Sequence, residues 1–338
     1  MIDLHLHLDG SLAKEDYIYL AKLNNYDLTQ EELNNRFVSI DCPSLKEYLK
    51  CFDLSLKLLQ TKESIEYAFY SLSNRLYDLG FLYAEIRFAP GLHLNNDLTM
   101  EEVVSSAVKG VKKALENKKN FNINIILCLM RHFSLSLNMK TVEVAHKFKD
   151  DKVVAIDLAG DESLTPASSF KSCFELAKKY DINITIHAGE ATGSEEVSDA
   201  INLGAKRIGH GVHYELNDYN VSLAKDKKIG FEVCPTSNIQ TKSIKSYKDN
   251  PILELLRKNV LVSLNSDNMT VSNTDIYKEF AHLMNDTDIS KDEMLKLLFN
   301  AAEMSFISKQ EKEKLEENLF KNFDLFYKKC LIEKEKCR

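Results

Sequence analysis

A chain of 338 residues with 44% hydrophobic and 28% charged content has the composition of an ordinary globular protein, long enough for one large core. Its formal net charge of −7 argues against a nucleic-acid or anionic-membrane partner. No run approaches the ~18 apolar residues of a membrane span, no signal-peptide pattern precedes the first structured run, and seven scattered cysteines with no Cys-x-x-Cys pair are not a disulfide framework; the expectation is free thiols in a reducing cytoplasm.

The first element is Ile2–His7, where apolar and polar residues alternate with the period of a strand. Residues two apart share a face, so Asp3, His5, His7 and, just beyond, Asp9 point to one side before Gly10-Ser11 ends the run. Two imidazoles side by side at a strand end suit a first-row metal such as zinc. Taken alone, the same pattern also describes a strand with two half-buried histidines. Residues 13–78 follow as a helical insertion. Further strands are expected at Phe81–Ala89, Ile123–Met130, Val153–Ala159, Ile182–His187, Arg207–His210, Gly230–Cys234 and Val260–Ser266. Helical patterns separate most of them, at Glu101–Glu116, Met139–Lys149, Phe170–Tyr180, Glu195–Leu203 and Asp218–Lys227. Residues 275–338 close the chain with helices.

Strands that alternate with helices imply a parallel sheet. Eight such units imply a closed (β/α)8 TIM-type barrel, here one domain over residues 1–338 with a helical insertion after the first strand and C-terminal helices. The third, fourth and fifth strands are nearly all apolar, as strands covered on both faces should be.

Active sites of such barrels stand at the C-terminal ends of the strands. Strand one brings His5, His7 and Asp9 there, strand four Gly160, strand five His187 and Glu190, strand six His210, and strand eight Asp267 and Asn268. Three histidines and one carboxylate, His5, His7, His187 and Asp267, fit one zinc ion with room for a water whose pKa falls toward ~7. Glu190 follows His187 across a glycine turn and can face the same cavity. His210, between two glycines, can orient or deprotonate the water. Each of these residues has an ordinary explanation by itself, as a turn histidine or a loop cap. Their convergence on one rim does not. Of the other histidines, His132 and His213 fall just beyond strands three and six.

Several of these runs together resemble the adenosine deaminase family. They are His5-Leu6-His7-Leu8-Asp9-Gly10, Asp157-Leu158-Ala159-Gly160-Asp161-Glu162, His187-Ala188-Gly189-Glu190, Ile208-Gly209-His210-Gly211, Cys234-Pro235-Thr236-Ser237-Asn238 and Leu264-Asn265-Ser266-Asp267-Asn268, in that order. Glu85–Pro90 and Leu129–His132 add to the resemblance, which spans residue 2 to about residue 310. It implies a zinc-dependent hydrolase, one Zn2+ per chain, that converts adenosine and 2′-deoxyadenosine to inosine-type products and ammonia in purine salvage. It implies that His5, His7, His187 and Asp267 bind zinc, that Glu190 protonates purine N1, and that His210 is the water-orienting base. The purine would meet Gly160, the ribose Asp9, with His7 beside the substrate. Leu45, Tyr48, Leu49 and Phe52 match an apolar lid, although their helical spacing equally describes a core stripe.

One departure stands out. Many family members carry two consecutive aspartates where this chain has Asp267-Asn268. Asn268 can donate to purine N7 from an amide without any pKa shift, so the change keeps the chemistry. A deaminase of free adenine or of an N6-modified adenine nucleotide is the nearest alternative, although Asp9 and the extended Thr236–Tyr247 segment fit a nucleoside better. A binuclear amidohydrolase would need a bridging lysine where Ala159-Gly160 stands. A purine-binding protein without activity would not need Glu190 and His210. The Pro-Cys-x-x-Cys signature of deaminases that flip nucleic-acid bases is absent. Oligomeric state is not readable.

Overall fold

The computed structural model describes residues 1–34 and 50–337. Eight parallel strands follow one another around a barrel in sequence order: β1 (Ile2–His7), β2 (Tyr83–Phe88), β3 (Asn122–Met130), β4 (Val153–Ala159), β5 (Asn183–Ala188), β6 (Arg207–His210), β7 (Gly230–Val233) and β8 (Leu261–Leu264). The register shifts between Asp3 and Leu6 of β1 and between Ile125 and Ile126 of β3, and toward the other side of the barrel it sets His187 beside Gly209 and Glu232 beside Ser263. In β1 the alternation sends Ile2, Leu4 and Leu6 into the apolar layer under the helices. Asp3 and His5 turn into the barrel, fully buried, and His7 stands at its upper end.

β8 and β1 meet through a short seam. Asp267 N donates to His5 O (2.9 Å) and His7 N donates to Asp267 O (2.8 Å). Lower down, side chains replace the missing backbone ladder. Asn265 Oδ1 accepts from Leu4 N at 2.9 Å. The Asp3 carboxylate accepts from His5 N (3.0 Å), Ser266 N (3.0 Å) and Ser266 Oγ (2.6 Å).

Helices cover the outside. Met100–Leu115 starts at a capping box between Thr99 and Glu102. The helix expected from Met139 begins earlier, at Leu135, because Ser134 caps it and accepts from Leu137 N. The segment read as extended from Thr236 opens instead with a helix, Pro235–Gln240, with proline in the first position where its missing N–H costs nothing. Between β1 and β2 lie Lys14–Leu23, Gln30–Asn34, Asp53–Leu58 and Lys62–Leu79; after β8 come Ile276–Asp286, Lys291–Met304 and Lys309–Lys336. Of the lid residues, Leu45, Tyr48 and Leu49 lie outside the described residues. Phe52, in the turn Lys50–Phe52, forms part of the wall above the barrel mouth.

The seam makes a measurable demand. Asp3→Asn keeps the shape but replaces an acceptor oxygen by a donor, leaving bonds from β8 unmet. The expected cost is about 1–3 kcal/mol, seen as a lower denaturant midpoint at constant slope. An unchanged midpoint would show that the seam does not depend on Asp3.

Candidate active site

A cavity of about 550 Å³ opens at the C-terminal ends of the strands. His7, Asp9, Gly160, His187, Glu190, His210, Asp267 and Asn268 all line it, and His5 lies directly beneath. Every residue expected there from the motifs, outside the lid stretch, is therefore brought to one place.

Gly209 lets the histidines pack this closely: a Cβ there would stand 2.9 Å from His5 Cε1 and 3.3 Å from His187 Cα. The nitrogens of His5, His7 and His187 fall within 4.8 Å of one another, as do the ligand atoms of His5, His210 and Asp267. His7 Nε2 is 3.3 Å from His187 Nε2. Asp267 Oδ1 is 3.6 Å from His5 Nε2 and 3.5 Å from His7 Nε2. Ligand atoms around one four-coordinate zinc, with bonds of about 2.0–2.1 Å, sit about 3.3 Å apart. His5 Nε2 is buried and finds no hydrogen-bond partner. Burial holds His5 and His7 well below the usual imidazole pKa, in the neutral form that binds metal. The donor set, its spacing and the orphaned nitrogen thus fit a zinc ion.

The far nitrogens of two of these rings are anchored to carboxylates. Glu232 Oε2 lies 2.8 Å from His5 Nδ1, and Asp157 Oδ2 lies 2.9 Å from His187 Nδ1. An anion behind each ring fixes the tautomer that leaves Nε2 free for a metal. Arg87 joins the two anions, with Nη1 3.0 Å from Asp157 and Nη2 2.7 Å from Glu232. Arg207 braces Glu232 from below at 2.5 Å and reaches Glu85. Burial pushes the Asp157 carboxyl up, but His187 and Arg87 outweigh it and hold the group well below the usual carboxylate range.

Glu190 and His210 stand side by side at the mouth. Glu190 Oε2 is 3.5 Å from His210 Nε2, and Thr241 Oγ1 donates to Glu190 Oε1 at 3.1 Å. Burial, then the like charges of Asp267 and Glu162, push the Glu190 carboxyl up to about 8; a divalent cation nearby would act in the opposite direction. Burial lowers His210 to about 4, so the ring is neutral. Its Nδ1 lies 3.0 Å from the Asn238 carboxamide, whose Oδ1 has no partner as placed. A half-turn of that amide lets Oδ1 accept from Nδ1–H and leaves Nε2 as the acceptor. One oxygen of Asp9, Oδ1, is also buried without a partner.

Reasoning from the sequence singled out no role for Asp157, Glu232, Arg87, Asn238 or Glu162. A signal existed: a charged residue midway along a strand covered on both faces, as in Arg87 of β2, Asp157 of β4 and Glu232 of β7, must have a partner inside the barrel. His132 does reach the cavity wall, whereas His213 turns away to Ser243 O at 3.0 Å.

Removing the anion behind a ligand should loosen the centre. Glu232→Gln should lower metal affinity about 10- to 100-fold, measured by metal retained during dialysis against graded chelator, because both His5 and Arg87 lose their charged partner. Equal retention by variant and parent would limit Glu232 to packing.

The chain was compared with known proteins. The family model for adenosine deaminase matches residues 1–322. An adenosine deaminase of Haemophilus ducreyi is 41% identical over 323 residues, covering 93% of this chain and 94% of its own. Among solved structures, an adenine deaminase of Arthrobacter aurescens superimposes with a TM-score of 0.86 at 23% identity, over 95% of this chain and 98% of that one, and so shares the fold. The N6-methyl-AMP deaminase of Arabidopsis thaliana superimposes with a TM-score of 0.82 at 25% identity, over 96% and 95%. With a family model that matches residues 1–322 and a relative 41% identical over 93% of the chain, the chain belongs to the adenosine deaminase family.

Proposed function

We propose that this enzyme hydrolyses the exocyclic C6–N bond of adenosine, and of 2′-deoxyadenosine, to give the inosine-type nucleoside and ammonia. The observation that carries the reading is the placement of Glu190 and His210 side by side in a cavity above His5, His7, His187 and Asp267. Those four residues would hold a zinc ion, which would supply a water acidified toward pKa ~7 as a nucleophile at neutral pH.

The remaining chemistry belongs to the side chains. Glu190, protonated through burial, donates to purine N1 from Oε2, since Thr241 occupies Oε1 as an acceptor. Protonation there withdraws electrons from C6 and opens it to attack. His210, neutral, takes a proton from the attacking water through Nε2 once Asn238 holds Nδ1–H. That proton goes on to the amino group, which leaves as ammonia, while the C6 hydroxyl gives its remaining proton back to Glu190 as the carbonyl forms. Asp9 offers its unpartnered Oδ1 to a ribose hydroxyl. Gly160, in a left-handed conformation at φ 99°, brings backbone against the purine face. Asn268 offers its amide to N7.

The relatives act on adenosine, adenine or N6-methyl-AMP by name, so the third substituent matters. The described wall of the cavity carries five carboxylates besides the protonated Glu190, namely Asp9, Asp53, Asp161, Glu162 and Asp267, and no Lys or Arg. A 5′-phosphate would meet like charge there, which favours a nucleoside over a nucleotide. Asp9 in turn favours a nucleoside over the free base.

The direct test is loss of the adenosine absorbance band with metal-loaded protein, beside parallel reactions with adenine, AMP and N6-methyl-AMP. Adenosine should be turned over fastest; a preference for adenine or N6-methyl-AMP would replace this reading with the corresponding relative's activity, and a preference for AMP would overturn it. Glu190→Gln should retain zinc and lose ~10²-fold or more in rate, the scale of a general acid, whereas His5→Ala should lose both metal and rate. A Glu190→Gln protein without its metal would make Glu190 a structural group or a ligand.

The Asn268 contact has its own signature. 7-Deazaadenosine lacks the N7 acceptor, and a buried donor left unmet costs roughly 1–3 kcal/mol, on the order of 5- to 150-fold in rate. Equal rates with adenosine and its 7-deaza analogue would remove Asn268 from the substrate site.

A further inference from the structure

The loop that carries Glu190 has a partner across the cavity rim. Glu162, just after β4, is 5% exposed. Its Oε1 accepts from Glu190 N at 3.1 Å. Its Oε2 accepts from Ala191 N (3.3 Å), Thr192 N (3.1 Å) and Thr192 Oγ1 (2.5 Å). Three consecutive backbone N–H groups thus converge on one carboxylate. They belong to the turn between β5 and the helix Ser194–Leu203, a segment with no sheet or helix partner of its own for these donors. A carboxylate has two oxygens and about four acceptor sites, enough for all four bonds; a carboxamide has one accepting oxygen. Hydrogen bonds to a charged acceptor are also about twice as strong as neutral ones.

The arrangement fixes Glu190 by its own main chain. From the other side, Thr241 holds the end of its side chain at Oε1. Backbone and carboxyl group are therefore both pinned, and Oε2 is left toward the cavity. The titratable groups that face Glu190 are Asp267 at the end of β8, Glu162 after β4, His187 on β5 and His210 on β6. Glu162 is one of two anions among them, and a like charge favours the neutral form of an acid.

We infer that Glu162 is a positioning residue for the deamination: it clamps the Glu190 turn through four hydrogen bonds and so holds the donor's carboxyl group in place. The inference rests on the reading of Glu190 as the proton donor. The clamp itself is a matter of geometry.

The test compares Glu162→Gln with the parent, each in the presence and absence of Glu190→Gln, on full-length protein of measured zinc content. Glu162→Gln should lower kcat by roughly tenfold or more, the loss of charge-assisted bonds, with KM changed much less. The alkaline limb of its kcat/KM profile should move to lower pH, because the donor has lost an anionic neighbour. In the Glu190→Gln background the same change should cost little further, since residues that act through one another are not additive. Amide hydrogen exchange at residues 190–192 should be faster. Losses that multiply in full in both backgrounds, with an unmoved limb, would reduce Glu162 to a fold-stabilising residue and overturn the inference. Should Glu162→Gln not fold, Thr192→Val removes one of the four bonds alone; unchanged rate and unchanged exchange in that variant would overturn the inference equally. A parent protein that leaves adenosine untouched would instead sink the functional reading, while the amide-exchange comparison would still decide the clamp.

Discussion

The barrel closes on residues proposed to hold a metal. Its last strand has to meet its first, and at the level of the cavity that junction is two hydrogen bonds, Asp267 N to His5 O and His7 N to Asp267 O. The three residues whose backbones make the seam are three of the four whose side chains would bind zinc. Closure and assembly of the donor set are therefore one event. A metal that binds only the assembled set draws its affinity partly from the closed barrel and stabilises that closure in return.

A second constraint lies beneath it. Arg87 stands between Asp157 and Glu232, and Arg207 between Glu232 and Glu85, all of them buried. Buried charge is costly unless each ion is paired and its remaining bonds are met. Here the two carboxylates also hold His187 and His5, Glu232 receives Thr185 Oγ1 at 3.2 Å, and Glu85 receives Phe306 N at 2.8 Å. The stack thus runs from the His5 and His187 rings down to the junction that follows the helix Lys291–Met304. An apolar filling would close the barrel as well. It would not set the imidazole tautomers, and that need explains why charge occupies the interior.

The barrel and most of its rim were legible in the sequence for one reason: each motif lies at a strand end, and strand ends are marked locally by alternation followed by glycine. His5 and His7 could be placed by periodicity alone, and Gly209-His210-Gly211 by its turn. What local pattern could not supply was pairing. Arg87 and Glu232 lie 145 positions apart, and Glu162 reaches amides 28 to 30 positions away. A charge inside a covered strand announces that a partner exists without naming it. The helix start at Leu135 escaped for a different reason. Its apolar stripe begins later than its cap, so periodicity placed the boundary a turn too late while Ser134 already marked it.

Two residues of the rim sit in a conformation that side chains other than glycine avoid. His210 has φ 64° and Asp267 has φ 60°. The left-handed region costs an ordinary residue roughly 1–2 kcal/mol, and it persists only where the surroundings over-determine it. For Asp267 those surroundings are the seam, which engages both its N–H and its C=O. For His210 they are the pairing of β5 with β6, which sets Ala188 beside it, and the Asn238 amide on its ring. Glycine would relax either backbone, and neighbouring Gly189 and Gly211 take that course at φ 71° and 66°. At 210 and 267 the side chain is the point of the position. The strain is therefore retained where the proposed metal ligand and base leave a strand end sharply enough to face the same small volume, and it is offset by the bonds that close the barrel.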